Sequence, residues 1–240
     1  MTDHIILHEF GCADSQRAAF NALARDTLLP AVMKGNGVTG VFLFETDPRV
    51  SGRGDHLLLT RLNLAGGAVD AETALAAYTA RLKGLADLPD LAFEVWAPIL
   101  LQGVARRSNP LPDNAAELER WIVLVETDPN PGVADDYNDW YSDHLSDALK
   151  TPDYLSASRY RMADPQPGRS EYLCIYEICT DDILRTRRIR RDFKNKELAE
   201  GNDHRPYMRH PGDEFGNMPG FWQPVLLRQK VAVENNELVD

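Results

Sequence analysis

Tyr137, Tyr141 and His144 share the segment YNDWYSDHL, with Asn138 and Trp140 between them. At 3.6 residues per turn, positions i, i+4 and i+7 lie on one face of a helix, and Ala148 continues that face. The set offers two phenols, which donate or accept hydrogen bonds, and an imidazole. An unperturbed imidazole titrates near about 6.5, so it can take or give a proton close to neutrality. Such groups suit general acid–base chemistry beside a carbonyl or a phenol. His144 would move the proton, Tyr137 and Tyr141 would orient or polarise the substrate, and Trp140 with Asn138 would line its binding site. The competing reading is an amphipathic core helix whose polar tips reach water or backbone. Against it, several polar groups on one inward face add little as packing, because each must find a partner.

The next candidates lie on the strand SASRYRM. Alternation puts Arg159 and Arg161 on one side and Ser158 and Tyr160 on the other. Arg159 is the candidate to bind a carboxylate, phenolate or enolate, and Tyr160 joins the substrate-binding set. Arg161 reads better as a salt-bridged rim. Glu9, Glu126 and Glu177 are the carboxylates available for pairing. His4 and His8, alternating on the first strand, are expected to mark its polar side.

The segment 185–222 is unusual. Arg185, Arg187, Arg188, Arg190, Arg191 and Lys194 make a basic helix surface in a chain of net charge −11. The simplest account is a solvated face paired with acids elsewhere, and a funnel for an anionic substrate is the alternative. GNDHRPYMRHPGDEFGNMPG follows, a loop rich in Gly and Pro with His204 and His210. Loops of this length often close over sites, so His210 is a candidate at a pocket mouth. The His204/His210/Asp203/Glu214 spacing matches no metal-ligand pattern, so no metal is expected.

These residues need elements to hold them, and an internal repeat supplies the plan. Phe20, Asn21, Leu28 and Ala31 recur 117 positions on as Tyr137, Asn138, Leu145 and Ala148, and Asp47-Pro48 as Asp164-Pro165. HIILHE (4–9) likewise answers WIVLVE (121–126), and WAPIL (96–100) answers WQPVL (222–226). Where the second helix carries Tyr141 and His144, the first carries Ala24 and Thr27, so one working pocket per chain is expected. Each half reads as strand (4–10; 121–127), helix (15–33; 134–150), strand (38–45; 155–162), turn, and strand (56–64; 171–179). A second helix follows, capped by Asp70 in the first half, and a last strand (93–101; 221–229) closes the unit. That is βαββαβ, giving an α+β fold of two tandem ferredoxin-like repeats. The expected boundaries are 1–104 for the first repeat and 105–118 for a linker. The second repeat takes 119–232 with an insertion at about 185–220, and 233–240 form a tail. A ferredoxin-like sheet has an uncovered second face, which pairing two sheets within one chain would cover.

YNDWYSDHL, ALKTPDYLSASRYR (148–161) and EYLCIYEI (171–178) resemble the dimeric α/β-barrel superfamily and, within it, EthD-like proteins. The likeness is clearest over 119–180. It implies an intramolecular α/β barrel and puts the helix-borne His144 first among the catalytic residues. The implied function is a cofactor-independent lyase, cyclase or isomerase acting on a small aromatic or polyketide-like compound. Two alternatives are a monooxygenase of the same superfamily, cofactor-free or haem-dependent with His210 as axial ligand, and a non-catalytic carrier of a small hydrophobic ligand. The strong negative charge argues against nucleic acid as a partner. The lack of a long apolar run argues against a membrane. Neither CxxC nor a disulfide framework occurs, so a cytoplasmic protein is expected. A homodimer is left open.

Overall fold

The computed structural model describes residues 4–46, 56–64, 70–86, 93–95, 97–162, 170–201, 207–209, 225–234 and 237–239. His210, the loop around it, Asp47-Pro48 and Asp164-Pro165 lie outside the described residues.

The chain divides into two compact units, Met1–Gly103 with Leu227–Asp240, and Val104–Leu226. The first contains β1 (His4–Cys12), α1 (Arg17–Leu23), α2 (Leu29–Met33), β2 (Val38–Thr46), β3 (His56–Leu62), α3 (Ala71–Ala86) and β4 (Phe93–Val95). β5 (Ile99–Ser108) starts there and continues into the second unit. β1 pairs antiparallel with β3, β4 and β5, and β2 with β3. Phe20, Ala24, Leu28, Leu29 and Val32 of the helical segment pack on Ile6, Phe10, Val41, Leu43 and Leu58 as the core. Asp70 caps α3 as expected, its carboxylate accepting from the Thr73 backbone N–H at 2.7 Å, which holds the Asp70 pKa below its usual value.

His8 departs from expectation. It shares the helix-covered face with Ile6 and Phe10 and is buried, with Nδ1 3.2 Å from the Tyr78 hydroxyl of α3. A hydrogen bond to that phenol lets the imidazole sit inside the core.

Between α1 and α2 the helix widens into a π turn, Ala24–Leu28, closed by the Leu29 N–H donating to the Ala24 carbonyl. Pro30 explains it. Proline has no N–H for the Asp26 carbonyl, and its ring crowds that oxygen, so the preceding turn opens. One extra residue is thereby taken up.

The second unit contains β6 (Glu119–Pro129), α4 (Ala134–Ala148), β7 (Tyr154–Met162), β8 (Tyr172–Thr180), α5 (Ile183–Ala199) and β9 (Met208–Arg209). β8 pairs antiparallel with both β6 and β7. The basic stretch counted from sequence into an insertion is in large part α5, the second helix of the repeat, capped by Asp182 through the Arg185 N–H at 2.9 Å. The residues read as a joint begin as strand, since β5 runs through Ser108.

The final strands bring a further difference. β10 (Val225–Glu234) pairs with β6 of its own half, as expected, but does not stop there. From Leu227 onward it pairs with β2, Leu227 opposite Thr46 and Glu234 opposite Gly40, and β11 (Glu237–Val239) extends that edge. An amphipathic strand carries no mark of which sheet edge it joins, so the pairing of β10 is not a local property.

Registers make the repeat comparison exact to the residue. Phe10 opposes His56 in the first unit, and Thr127 opposes Tyr172 in the second. Leu43 opposes Leu58, as Arg159 opposes Cys174. Bulges fall at Val38/Gly40 and at Tyr154/Ser156. The strand and helix before the π turn thus match at 117 positions, and everything after it, through β3 and β8, at 116. The structural counterpart of Arg159 is therefore Leu43.

Candidate functional site

The site is built on α4 and the sheet face beneath it. Acidic residues Asp135 and Asp136 in the first turn suit the positive end of the helix. Tyr137, Tyr141, Leu145 and Ala148 form the buried stripe, as the i, i+4 spacing requires. The sequence leaves open which face of β7 meets the helix, and it is the one carrying Arg159.

Arg159 is 2% exposed, Tyr137 0% and Tyr141 1%. The guanidinium carbon lies 4.5 Å from the ring centre of Tyr137, 4.8 Å from that of Tyr141 and 4.3 Å from that of Tyr172. Its Nη2 donates to Asn138 Oδ1 at 2.7 Å, and its Nε has no hydrogen-bond partner. Among the described residues no carboxylate pairs with it. Glu126 and Glu177, available in the sequence, stand opposite Leu173 and Ser156 on the strands, which puts them on the other face of the sheet with Tyr160. A cation out of water without a counter-ion is costly, and here three ring faces and an amide oxygen carry the compensation.

The hydroxyls around it form a chain. Tyr137 and Thr127 share a 2.7 Å hydrogen bond. Burial pushes the Tyr137 phenol up to about 12, with the Arg159 charge and the Thr127 hydroxyl acting in the opposite direction. Burial likewise holds the Tyr141 phenol well above its ordinary range, Cys174 adding to the effect. The Cys174 thiol, opposite Arg159 on β8, is raised to about 12 by burial, against hydrogen bonds from Tyr176 and Tyr141. All are neutral near pH 7, so none of them cancels the charge of Arg159. They are hydrogen-bond donors, not bases.

At the edge of this layer stands a half-buried aromatic strip. His144 stacks on Trp140 at 4.5 Å with 15° between ring planes, and meets the Tyr141 ring edge-on at 5.7 Å. Tyr207 also stacks on Trp140, at 6.1 Å with 22° between ring planes. Thr27, the first-half residue paired with His144 in sequence, is exposed.

The structure thus brings together Tyr137, Asn138, Trp140, Tyr141, His144 and Arg159. Tyr160 points to the opposite side of β7, and His210 lies outside the described residues. Arg161 forms the rim pair expected of it, Nε to Glu171 Oε1 at 2.7 Å. Thr127, Tyr172, Cys174 and Tyr207 are additions. The spacing of Tyr172, Cys174 and Tyr176, two apart along one strand, was the available signal for a shared face. Among the described residues no three His, Cys, Asp or Glu side chains converge as a metal site. No helix among the described residues is long and apolar enough to cross a membrane.

No family model matches the chain, and no curated protein matches it by sequence. Solved structures do match over nearly the whole length. An anthrone oxidase-like protein is 9% identical with a TM-score of 0.62, covering 98% of this chain and 94% of its own. A monooxygenase candidate from Fusobacterium nucleatum is 10% identical with a TM-score of 0.58, covering 100% and 93%. A chlorite dismutase from Candidatus Nitrospira defluvii is 9% identical with a TM-score of 0.54, covering 95% and 90%. At such identities the likeness establishes the fold alone. The chain shares the α+β fold of these structures, a dimeric α/β barrel, with both ferredoxin-like repeats on one polypeptide.

Proposed function

We propose that the second repeat carries an acid–base site for a small aromatic or polyketide-like compound, and that the protein is an EthD-like enzyme performing a lyase, cyclase or isomerase step without a cofactor. The observation that carries this reading is Arg159, a buried cation with no carboxylate partner among the described residues, adjoining the His144–Trp140–Tyr207 strip. A core gains nothing from such a charge, whereas a reaction that develops negative charge does.

In this reading the substrate stacks on Trp140 and Tyr207. The His144 imidazole takes a proton from carbon beside a carbonyl or conjugated to it through a ring, and the electron pair of the broken C–H bond moves onto the oxygen. Arg159 stabilises that oxyanion through a low-dielectric interior, where a charge acts over several ångströms. Tyr137 and Tyr141, engaged with Thr127, Cys174 and the guanidinium, hold Arg159 in place. Asn138 fixes the remaining end of the fork.

Anthrone is the first compound to try, because one structural neighbour is described as anthrone oxidase-like. Its methylene lies between two rings and is conjugated through them to the ketone, so removal of one proton sends the electron pair to that oxygen, which on protonation gives the phenolic tautomer. The protein should accelerate exchange of those protons for deuterium, followed by NMR. His144→Gln should lower the rate at least about 100-fold with an unchanged circular dichroism spectrum. Exchange that survives the substitution removes His144 from the mechanism.

The neighbours favour one second reading, a monooxygenase. It predicts oxygen uptake with the same substrate. A haem is not accommodated between α4 and its strands as packed, because Tyr137, Tyr141, Arg159, Tyr172 and Cys174 fill that layer. The carrier reading predicts tight binding, no chemical change, and a His144 variant altered in affinity only.

A further inference from the structure

Outside that site, the opposite surfaces of α4 and α5 carry charge that the fold does not use. α5 buries only Ile183 and Thr186. Along its outer side run Leu184, Arg188, Arg191, Asn195 and Leu198, spaced i, i+4, i+7, i+11 and i+14, which is one stripe. Leu184 is 38% exposed and Leu198 36%, both large for apolar side chains. Arg185, Arg190 and Lys196 already pair with Asp181, Glu197 and Glu200. Arg188 and Arg191, between the two leucines, are exposed and form no ion pair among the described residues.

α4 presents the complement. Asp135, Asp136, Asp139 and Asp143 are exposed, lie opposite the Tyr137–Tyr141–Leu145 stripe, and are likewise without an ion pair among the described residues. One helix thus offers a cationic stripe flanked by leucines, and its companion an anionic one.

We propose that the outer face of α5 docks on the outer face of α4 in a second copy of this chain. Like charges exclude α5 on α5 and α4 on α4, so charge selects the crossed pairing. A two-fold axis forms that pairing twice, α4 on α5 and α5 on α4, which is the isologous arrangement of a closed dimer. With a net charge of −11 on each copy, long-range repulsion opposes the contact. The dimer is held by local charge pairs and is sensitive to salt.

Sedimentation velocity tests this on the full chain. The native protein should be dimeric at micromolar concentration in about 50 mM salt and dissociate on raising salt to about 0.5 M, where screening acts within about 4–5 Å. Arg188→Glu with Arg191→Glu leaves both helices acidic, and Asp139→Arg with Asp143→Arg sets two cations beside Asp135 and Asp136, so that α4 no longer offers α5 an anionic face. Each variant alone should be monomeric, at least about 10-fold weaker in self-association. An equimolar mixture of the two should recover the dimer, because one crossed contact then keeps its native signs and the other is restored with its signs reversed. A chain carrying all four substitutions should also dimerise. A monomeric native protein, a dimer that survives either pair of substitutions, or natively folded variants that fail to recombine would each overturn the proposal. Capture of an acidic partner protein in place of a second copy does so too.

Discussion

Beneath the first helix of each unit the same three positions are in contact, and they differ in kind. In the first unit Phe20 touches Phe10 at 5.6 Å and His56 at 4.5 Å between ring centres. In the second, Tyr137 bonds Thr127 and meets Tyr172 at 5.4 Å. Around them, Ala24 and Leu43 become Tyr141 and Arg159. The layer geometry is thus satisfied by apolar packing, as the first unit does it, and the guanidinium and phenols of the second are not required to build it. The first unit is not stripped of polar groups, for it buries His8, His56 and Tyr78, but among its described residues no arginine or lysine is buried.

Substitutions that make the second layer resemble the first test this contrast, and the largest effect on stability should come from Tyr141→Ala, which copies Ala24. Tyr141 is fully buried in a packed layer, so the lost ring should cost about 3–5 kcal/mol in urea denaturation. A cost under about 1 kcal/mol would mean that the two layers are not packed alike.

Tyr137→Phe, copying Phe20, removes one buried hydrogen bond and leaves Thr127 without that partner, for about 1–3 kcal/mol. It also changes the alkaline limb. The Tyr137 and Tyr154 phenols and the Cys174 thiol are raised to about 12 by burial, above their ordinary values of 10.0 and 9.0. The unfolded chain therefore loses these protons first. Their contribution to stability is complete below about pH 9 and falls away as pH rises towards 12. Thermal midpoints measured from pH 8 to 12 should drop steeply, and less steeply in Tyr137→Phe. An identical slope in the variant would remove Tyr137 from the titrating set.

The smallest effect on stability should be Arg159→Leu, which copies Leu43. It deletes an unpaired buried charge together with its packing, two changes of opposite sign that should nearly cancel, to within about 1 kcal/mol. Proton exchange should fall at least about 100-fold all the same. A large loss of stability with exchange retained would make Arg159 structural.

Much of the fold was legible because its signals are local. Period-2 and period-3.6 patterns located most strands and helices, and Asp70 announced its cap. The inward face of α4 was legible for the same reason. What escaped depended on distant partners. The one-residue slip between the halves comes from Pro30, a visible helix-interior proline whose π turn could not be placed without coordinates. Arg159 was visible as a candidate, but its cage of three rings exists only through the pairing of β7 with β8 and the docking of α4. Local periodicity also could not assign the residues after Leu227 to β2.

That last pairing bears on how the chain is made. During synthesis β1, β2 and β3 emerge early, yet the edge of β2 stays bare until residues 227–234 have followed, with the whole second unit between. An unpaired strand edge is a template for the wrong neighbour. A contact of such sequence separation also forms slowly, since a long loop must close first. The first unit is therefore first to begin folding and last to finish. A ribosome-stalled chain ending near residue 220 should expose β2 to aggregation or to a holding chaperone.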